Sequence, residues 1–168
     1  MSDFAPARSR TRRNATDTYL TFALGEETFA LSILRIREII GIIGITPMPG
    51  MPPHVRGVLD LRGKVIPVVD LRCRLGFTPV PDRKRTCIVI VQVGNLADAI
   101  LVGLVVDRVC DVRDIPPSAI EAPPHFGQVA DASCITGVGK CGKQVVMLLD
   151  TERVSGREEF ALPTAAKD

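Results

Sequence analysis

Tryptophan is absent, tyrosine occurs once, and aromatic residues make up only 4% of the 168 positions. Because 46% of the chain is nonetheless apolar, valine, isoleucine and leucine must fill a core, and a chain of this length can bury one. No apolar run approaches the roughly 18 residues that a membrane span needs. The first sixteen residues contain no apolar h-region. After Arg12-Arg13 the next apolar stretch is broken by Glu26-Glu27, so neither a secretory nor a twin-arginine leader is expected. The cysteines, Cys73, Cys87, Cys110, Cys134 and Cys141, are odd in number and none is spaced Cys-x-x-Cys. That spacing argues against a zinc site and against a complete disulfide framework, and leaves reduced thiols in a cytosolic protein without metal or cofactor. Charge is almost balanced at +2. The leader, residues 1–16, carries Arg8, Arg10, Arg12 and Arg13 against Asp3. The basic surplus is therefore a tail, expected to be disordered, and not a nucleic-acid patch on the folded body.

What is present is a series of short β-branched runs separated by glycine and proline. Runs at 18–24, 28–31, 87–93, 100–106, 109–112, 135–138 and 145–149 read as strands. Ser32 is placed to cap a short helix over 33–38, although that run is β-branched enough to be extended, and 39–45 continues as a strand. The centre is 55–72, where two apolar runs flank Arg62-Gly63 as a hairpin would. Pro67 lacks a ladder donor and predicts an edge or a bend. Residues 76–85 form a polar linker, and Asp150 can cap a closing helix reaching about Phe160, interrupted by Gly156.

The two halves echo each other. At a gapless offset of eighty (137 − 57 = 80), Gly57-Val58 meets Gly137-Val138, Val65 meets Val145 and Asp70 meets Asp150; Pro-Pro-His occurs at 52–54 and at 123–125. Short strands, turns and no long helix predict an all-β fold of two pseudo-repeated five-stranded barrels packed side by side, with short helices including a C-terminal one. The expected division is a leader at 1–16, a domain at 17–155 with halves at about 17–80 and 86–155, and a helix end and tail at 156–168.

Catalytic patterns are weak. Residues 137–143 fit Gly-x4-Gly-Lys, but Gln144 stands where a phosphate loop needs Ser or Thr, and a strand-type run follows in place of a helix. A hairpin turn is the better reading, and a nucleotide-using enzyme is the alternative it leaves. His54 and His125 occupy matching places in the halves, which favours a repeated structural role over a catalytic pair. Asp70, Asp107 and Asp150 each end an apolar run, where turns and helix caps account for them. The binding features are Glu38 beside Arg35 and Arg37, and Arg62 at a hairpin tip whose turn does not itself require arginine.

The stretch Gly57-Val-Leu-Asp-Leu-Arg-Gly-Lys-Val-Ile-Pro-Val-Val-Asp-Leu-Arg72 resembles the signature of CheW-type coupling proteins of bacterial chemotaxis. Supporting pieces are Phe22-x-Leu-Gly, Ile33-Leu-x-Ile-x-Glu-Ile, Val102-Gly-Leu-Val-Val-Asp107, Ile115-Pro-Pro and the Thr136-Gly-Val and Val-Val-Met-Leu-Leu-Asp150 end. The resemblance covers about 17–155 and implies two five-stranded barrels and a non-catalytic adaptor. Such an adaptor joins the regulatory domain of the CheA histidine kinase to the cytoplasmic tips of chemoreceptors, at arrays near the inner membrane. It implies room for self-association in those arrays, no nucleic acid and no membrane insertion. The same role in a non-flagellar pathway such as twitching motility is the alternative. By matching position, Ile36, Glu38, Gly57 and Arg62 fall where the family has partner contacts, and Val112 borders a receptor groove. Asp60 departs from the family's usual Asn and places a carboxylate where it could pair with Arg62.

Overall fold

The computed structural model describes residues 17–78, 80–95, 97–123 and 132–156. The basic leader, His125 and the chain beyond Gly156, including the expected helix end near Phe160, lie outside them. The strands are β1 (Thr18–Leu24), β2 (Glu27–Ser32), β3 (Ile36–Gly41), β4 (Val55–Leu61), β5 (Lys64–Asp70), β6 (Cys87–Val93), β7 (Ile100–Val106), β8 (Arg108–Asp114), β9 (Ile120–Glu121), β10 (Ile135–Cys141) and β11 (Gln144–Leu149). Two short helices, α1 (Leu71–Arg74) and α2 (Thr151–Ser155), follow β5 and β11. Asp70 and Asp150 cap them, each accepting from the backbone N–H two residues on.

The pairing makes one sheet of order β8-β1-β2-β11-β10-β9 and another of order β3-β6-β7-β5-β4. Each sheet therefore draws strands from both ends of the chain. The early hairpin β1–β2 joins the late strands, and β6–β7 joins the early ones, through the parallel pairs β2–β11 and β5–β7. The repeat is present in register. Val55↔Val69 and Gly57↔Val68 recur eighty residues on as Ile135↔Leu149 and Gly137↔Leu148. The Asp70 N–H bond to the His54 carbonyl recurs as Asp150 to Cys134. His54 thus contributes backbone to a repeated strand-to-helix corner. The sheets mix strands from both copies of the repeat, because the leading hairpins are exchanged between units.

The fold is all-β with two short helices, as expected, and its two units are packed sheets rather than closed barrels. The ladders have six and five strands and stay open, since β8 does not pair with β9, nor β3 with β4. Beyond β8 come Pro116-Pro117, neither of which donates to a ladder, and beyond β3 residues 42–45 join no strand before Thr46. The chain resumes pairing only as β9 against β10 and as the single bridge Thr46↔Val58. Two local expectations also change. Only Ile33–Arg35 forms a 3-10 turn, capped by Ser32, and Ile36 already begins β3 because its β-branched run prefers extended backbone. β5 is internal rather than an edge. Its parallel pairing to β7 starts at Val68, just past Pro67, so the missing donor costs nothing.

The core has three parts. A shared cluster between the sheets takes Leu20, Phe22 and Phe29 from one and Val89, Val91, Val102 and Leu104 from the other. Smaller clusters lie inside each unit, around Ile66, Ile88 and Val105 in one and around Ala30, Val146 and Leu148 in the other. Strand β7 faces both, with Val102, Leu104 and Val106 toward the shared core and Val105 toward its own unit. That two-sided burial is why the run 100–106 is apolar without alternation.

Candidate functional site

The β4–β5 hairpin closes through Leu61↔Lys64, leaving Arg62-Gly63 as a two-residue turn. Both have positive φ, 52° and 87°, the combination whose twist suits a tight hairpin. Arg62 is the only non-glycine residue in that region among those described, so an L side chain is held there against its preference. Asp60 does not pair with Arg62. Its Oδ1 accepts the Gly63 N–H at 2.8 Å, an acceptor role that Asn fills equally well. The departure from the family pattern is therefore neutral for the turn.

Arg62 donates instead to Glu38 on β3. Strands β3 and β4 are opposite ends of one ladder, so the sheet curls until its ends meet. The Glu38–Arg62 ion pair and the Thr46–Val58 bridge span the seam. The Arg62 side chain is 71% exposed and the Glu38 side chain 32%, leaving the guanidinium open on its solvent side. Ile36 lies two residues before Glu38, half-buried against the shared core. Exposed Ile39 follows Glu38, and Val65, 66% exposed, follows the hairpin tip.

Gly57 is buried on β4 with φ 141°, and a Cβ there would stand 2.0 Å from the Thr46 carbonyl oxygen. Its geometry answers to the bridge at the seam, where only glycine lets the two backbones approach. Val112, 56% exposed, lies on β8 in the other sheet, opposite Leu20 of β1. The fold thus joins Glu38 and Arg62 in one contact, sets Ile36 beside them, and leaves Val112 on the second unit. On that unit Asp111 accepts from Thr21 and Arg113, and the Thr21 hydroxyl holds its carboxyl below the usual range.

Residues 137–143 lie in β10 and its turn to β11, closed by Cys141↔Gln144. No helix follows until α2, so the phosphate-loop reading has no structural basis.

One cluster was not singled out from sequence. Arg72, second residue of α1, is only 3% exposed. Its Nε and Nη2 reach Asp70 at 3.0 and 2.9 Å, Nη2 reaches Asp82 at 3.3 Å and Nη1 reaches Asp107 at 3.4 Å. Arg56 grips Asp82 through two bonds of 3.0 and 2.9 Å. The Asp70 hydrogen bonds raise the Arg72 pKa further, and the Arg56 hydrogen bond lowers that of Asp82. Asp107 also takes the Gly25 N–H at 2.6 Å, so the cluster ties α1, the 80–86 linker, the end of β7 and the β1–β2 turn. The Asp-Leu-Arg run at 70–72 carried the signal, but its partners at 82 and 107 are visible only in three dimensions.

Comparison with known proteins agrees with this architecture. The family model for the CheW-like domain matches residues 18–159. The chain is 32% identical over 144 residues to "Chemotaxis protein CheW" of Klebsiella aerogenes, covering 86% of this chain and 84% of that one. It is 33% identical over 140 residues to the protein of the same name from Rhizobium meliloti, covering 83% and 88%. It is also 28% identical over 126 residues to "Protein FrzA" of Myxococcus xanthus, covering 75% and 76%. The crystal structure of scaffolding protein TtCheW from Thermoanaerobacter tengcongensis superposes with a TM-score of 0.73 at 30% identity, covering 83% of this chain and 92% of that one.

Proposed function

The chain belongs to the CheW-like domain family, and on that premise we propose that this chemotaxis adaptor couples a CheA-type histidine kinase to the cytoplasmic tips of chemoreceptors. The role is that of a scaffold and not of a catalyst. The observation that supports it best is the seam of the five-stranded sheet. There an exposed guanidinium, held by one carboxylate, stands on a turn that does not need it. Exposed Ile39 and Val65 flank the two charged residues in sequence, and an arginine among exposed apolar side chains is the composition of an interface anchor.

Under this reading Glu38 and Arg62 contact a partner directly, Ile36 supports them from beneath, and Gly57 acts through the backbone of the seam. Val112 serves a second contact on the other unit. No helix among the described residues is long and apolar enough to cross a membrane, and the proposed place of work is the cytoplasmic side of the inner membrane, in receptor arrays. The test is capture of purified CheA regulatory domain and of a receptor cytoplasmic fragment by the wild-type chain and by Arg62→Ala. The proposal expects both partners to be held by the wild type and at least one to be lost by the variant. A wild-type chain that retains neither partner refutes the adaptor role. The kinase and receptors retained from the source cell separate flagellar from twitching pathways.

A further inference from the structure

The strap between the two units carries Arg83-Lys84-Arg85, three consecutive cations that the adaptor reading leaves unused. All three are exposed and none makes a side-chain hydrogen bond or ion pair with the described residues. They line a half-open cavity of about 510 Å³ together with Arg108, whose Nη1 donates, among the described residues, to the Cys110 sulfur alone at 3.2 Å. Its carboxylates are Asp107, already engaged by Arg72 and the Gly25 N–H, and Glu26. Arg72 in the lining is matched by its own three carboxylates. Four cations therefore face one uncommitted carboxylate. Such a concentration of unpaired positive charge repels itself, and a multivalent anion bound among the cations relieves that repulsion.

The fold itself does not require this charge, because the other unit supplies an internal control. A smaller cavity of about 350 Å³ lies at the β6–β7 turn, lined by Gly94, Asp98, Glu152 and Arg35. There Glu152, the second residue of α2, takes the turn N–H of Gly94 at 2.6 Å and Arg35 at 2.9 Å. At the corresponding place in α1 stands Arg72. Both corners are thus internally neutralised, around Glu152 in one unit and around Arg72 in the other, and the uncommitted charge beside Arg72 comes from the strap and Arg108.

We propose that the cavity bounded by Arg83, Lys84, Arg85 and Arg108 binds a multiply charged phosphoryl group. Its volume is in the range of small-molecule sites, and guanidinium forks match phosphoryl oxygens in pairs. The site is separate from residues 137–143, involves no bond cleavage and does not rest on the adaptor reading. The phosphoryl group comes either from a soluble polyphosphorylated molecule or from a lipid headgroup.

The probe is sodium pyrophosphate, titrated calorimetrically into the full chain, with a parallel arm of co-sedimentation on phosphatidylcholine vesicles containing phosphatidic acid, whose headgroup is a phosphomonoester. The variants are the triple change Arg83→Ser, Lys84→Ser, Arg85→Ser, the single Lys84→Glu, and a control, Lys64→Ser with Lys143→Ser. Thermal midpoints establish that each is folded. Saturable one-to-one binding that weakens at least tenfold in the triple variant, weakens in Lys84→Glu and survives in the control supports the site. It should also weaken as salt rises toward 1 M, where screening shortens to about 3 Å. Binding in the pyrophosphate arm assigns a soluble ligand, and binding confined to vesicles, lost in the same variants, assigns a headgroup. No saturable binding in either arm, or binding that the strap variants leave unchanged, overturns the proposal.

Discussion

Replacing Arg72 by methionine removes one charged group and leaves Asp70, Asp82 and Asp107 facing each other with Arg56 alone as counter-charge. Asp70 sits almost as deep as the arginine, its side chain 9% exposed. Breaking a buried charge pair from one side costs about 3–5 kcal/mol, because the remaining carboxylates are left desolvated and unpaired. Against a total stability of about 5–15 kcal/mol, that is a large fraction. It corresponds to a fall in thermal midpoint of roughly 6–12 °C at the low end, taking about 2–4 °C per kcal/mol for this size. The pH dependence separates electrostatic cost from lost packing. In the parent the Asp82 pKa is depressed, so its stabilisation is present above the unfolded value near 4 and is lost as pH falls through the lower folded value. In the variant Asp82 loses the Arg72 hydrogen bond that helps hold its carboxyl down, so part of that stabilisation is missing at neutral pH, and the difference disappears once Asp82 is protonated in both proteins. Urea unfolding at pH 7 and at pH 3 should therefore show a gap between parent and variant that is wide at the first and narrower at the second, since Asp82 in the parent protonates only below the unfolded value near 4. Arg72→Lys should lie between, keeping the charge but not the fork that reaches three carboxylates. A gap below about 1 kcal/mol at pH 7, or one of equal size at both pH values, refutes the reasoning.

The remaining predictions concern the seam. Arg62→Ala should melt close to the parent, since an exposed ion pair contributes about 0–1 kcal/mol, while its capture of a partner falls on the order of thirtyfold. Arg62→Gly should melt above Arg62→Ala by up to about 1 kcal/mol, because glycine relieves the left-handed backbone at φ 52°; equal or lower melting refutes the turn assignment. Gly57→Ala should unfold at markedly lower urea than the parent, because its Cβ meets the Thr46 carbonyl oxygen; parental stability would show that the seam opens freely. Asp60→Asn should leave stability within about 0.5 kcal/mol. A double-mutant cycle should find coupling of about 0.2–1 kcal/mol between Glu38 and Arg62 and none between Asp60 and Arg62.

The amino-acid sequence by itself determined the local pieces. Strands at 87–93 and 100–106 match β6 and β7 end to end, because turn residues bound each apolar run. The Arg62-Gly63 turn and the Asp150 cap were equally legible, since their hydrogen bonds close within a few residues. The repeat was legible too, and its register proved true to the residue. What only the tertiary structure decided were the non-local choices. Nothing in a β-branched run says which distant run it will pair with, so the exchange of leading hairpins between the units could not be read from periodicity. The open ends of the ladders likewise depended on neighbours not yet placed. Glu38 and Arg62 were each picked out as contacts, but their pairing across 24 residues exists only because the sheet curls. Arg72 carries no local signal of burial, as the second residue of a four-residue helix. It became the buried centre of a charge cluster only when the fold brought Asp82 and Asp107 to it, because a guanidinium can leave water only where carboxylates are already waiting.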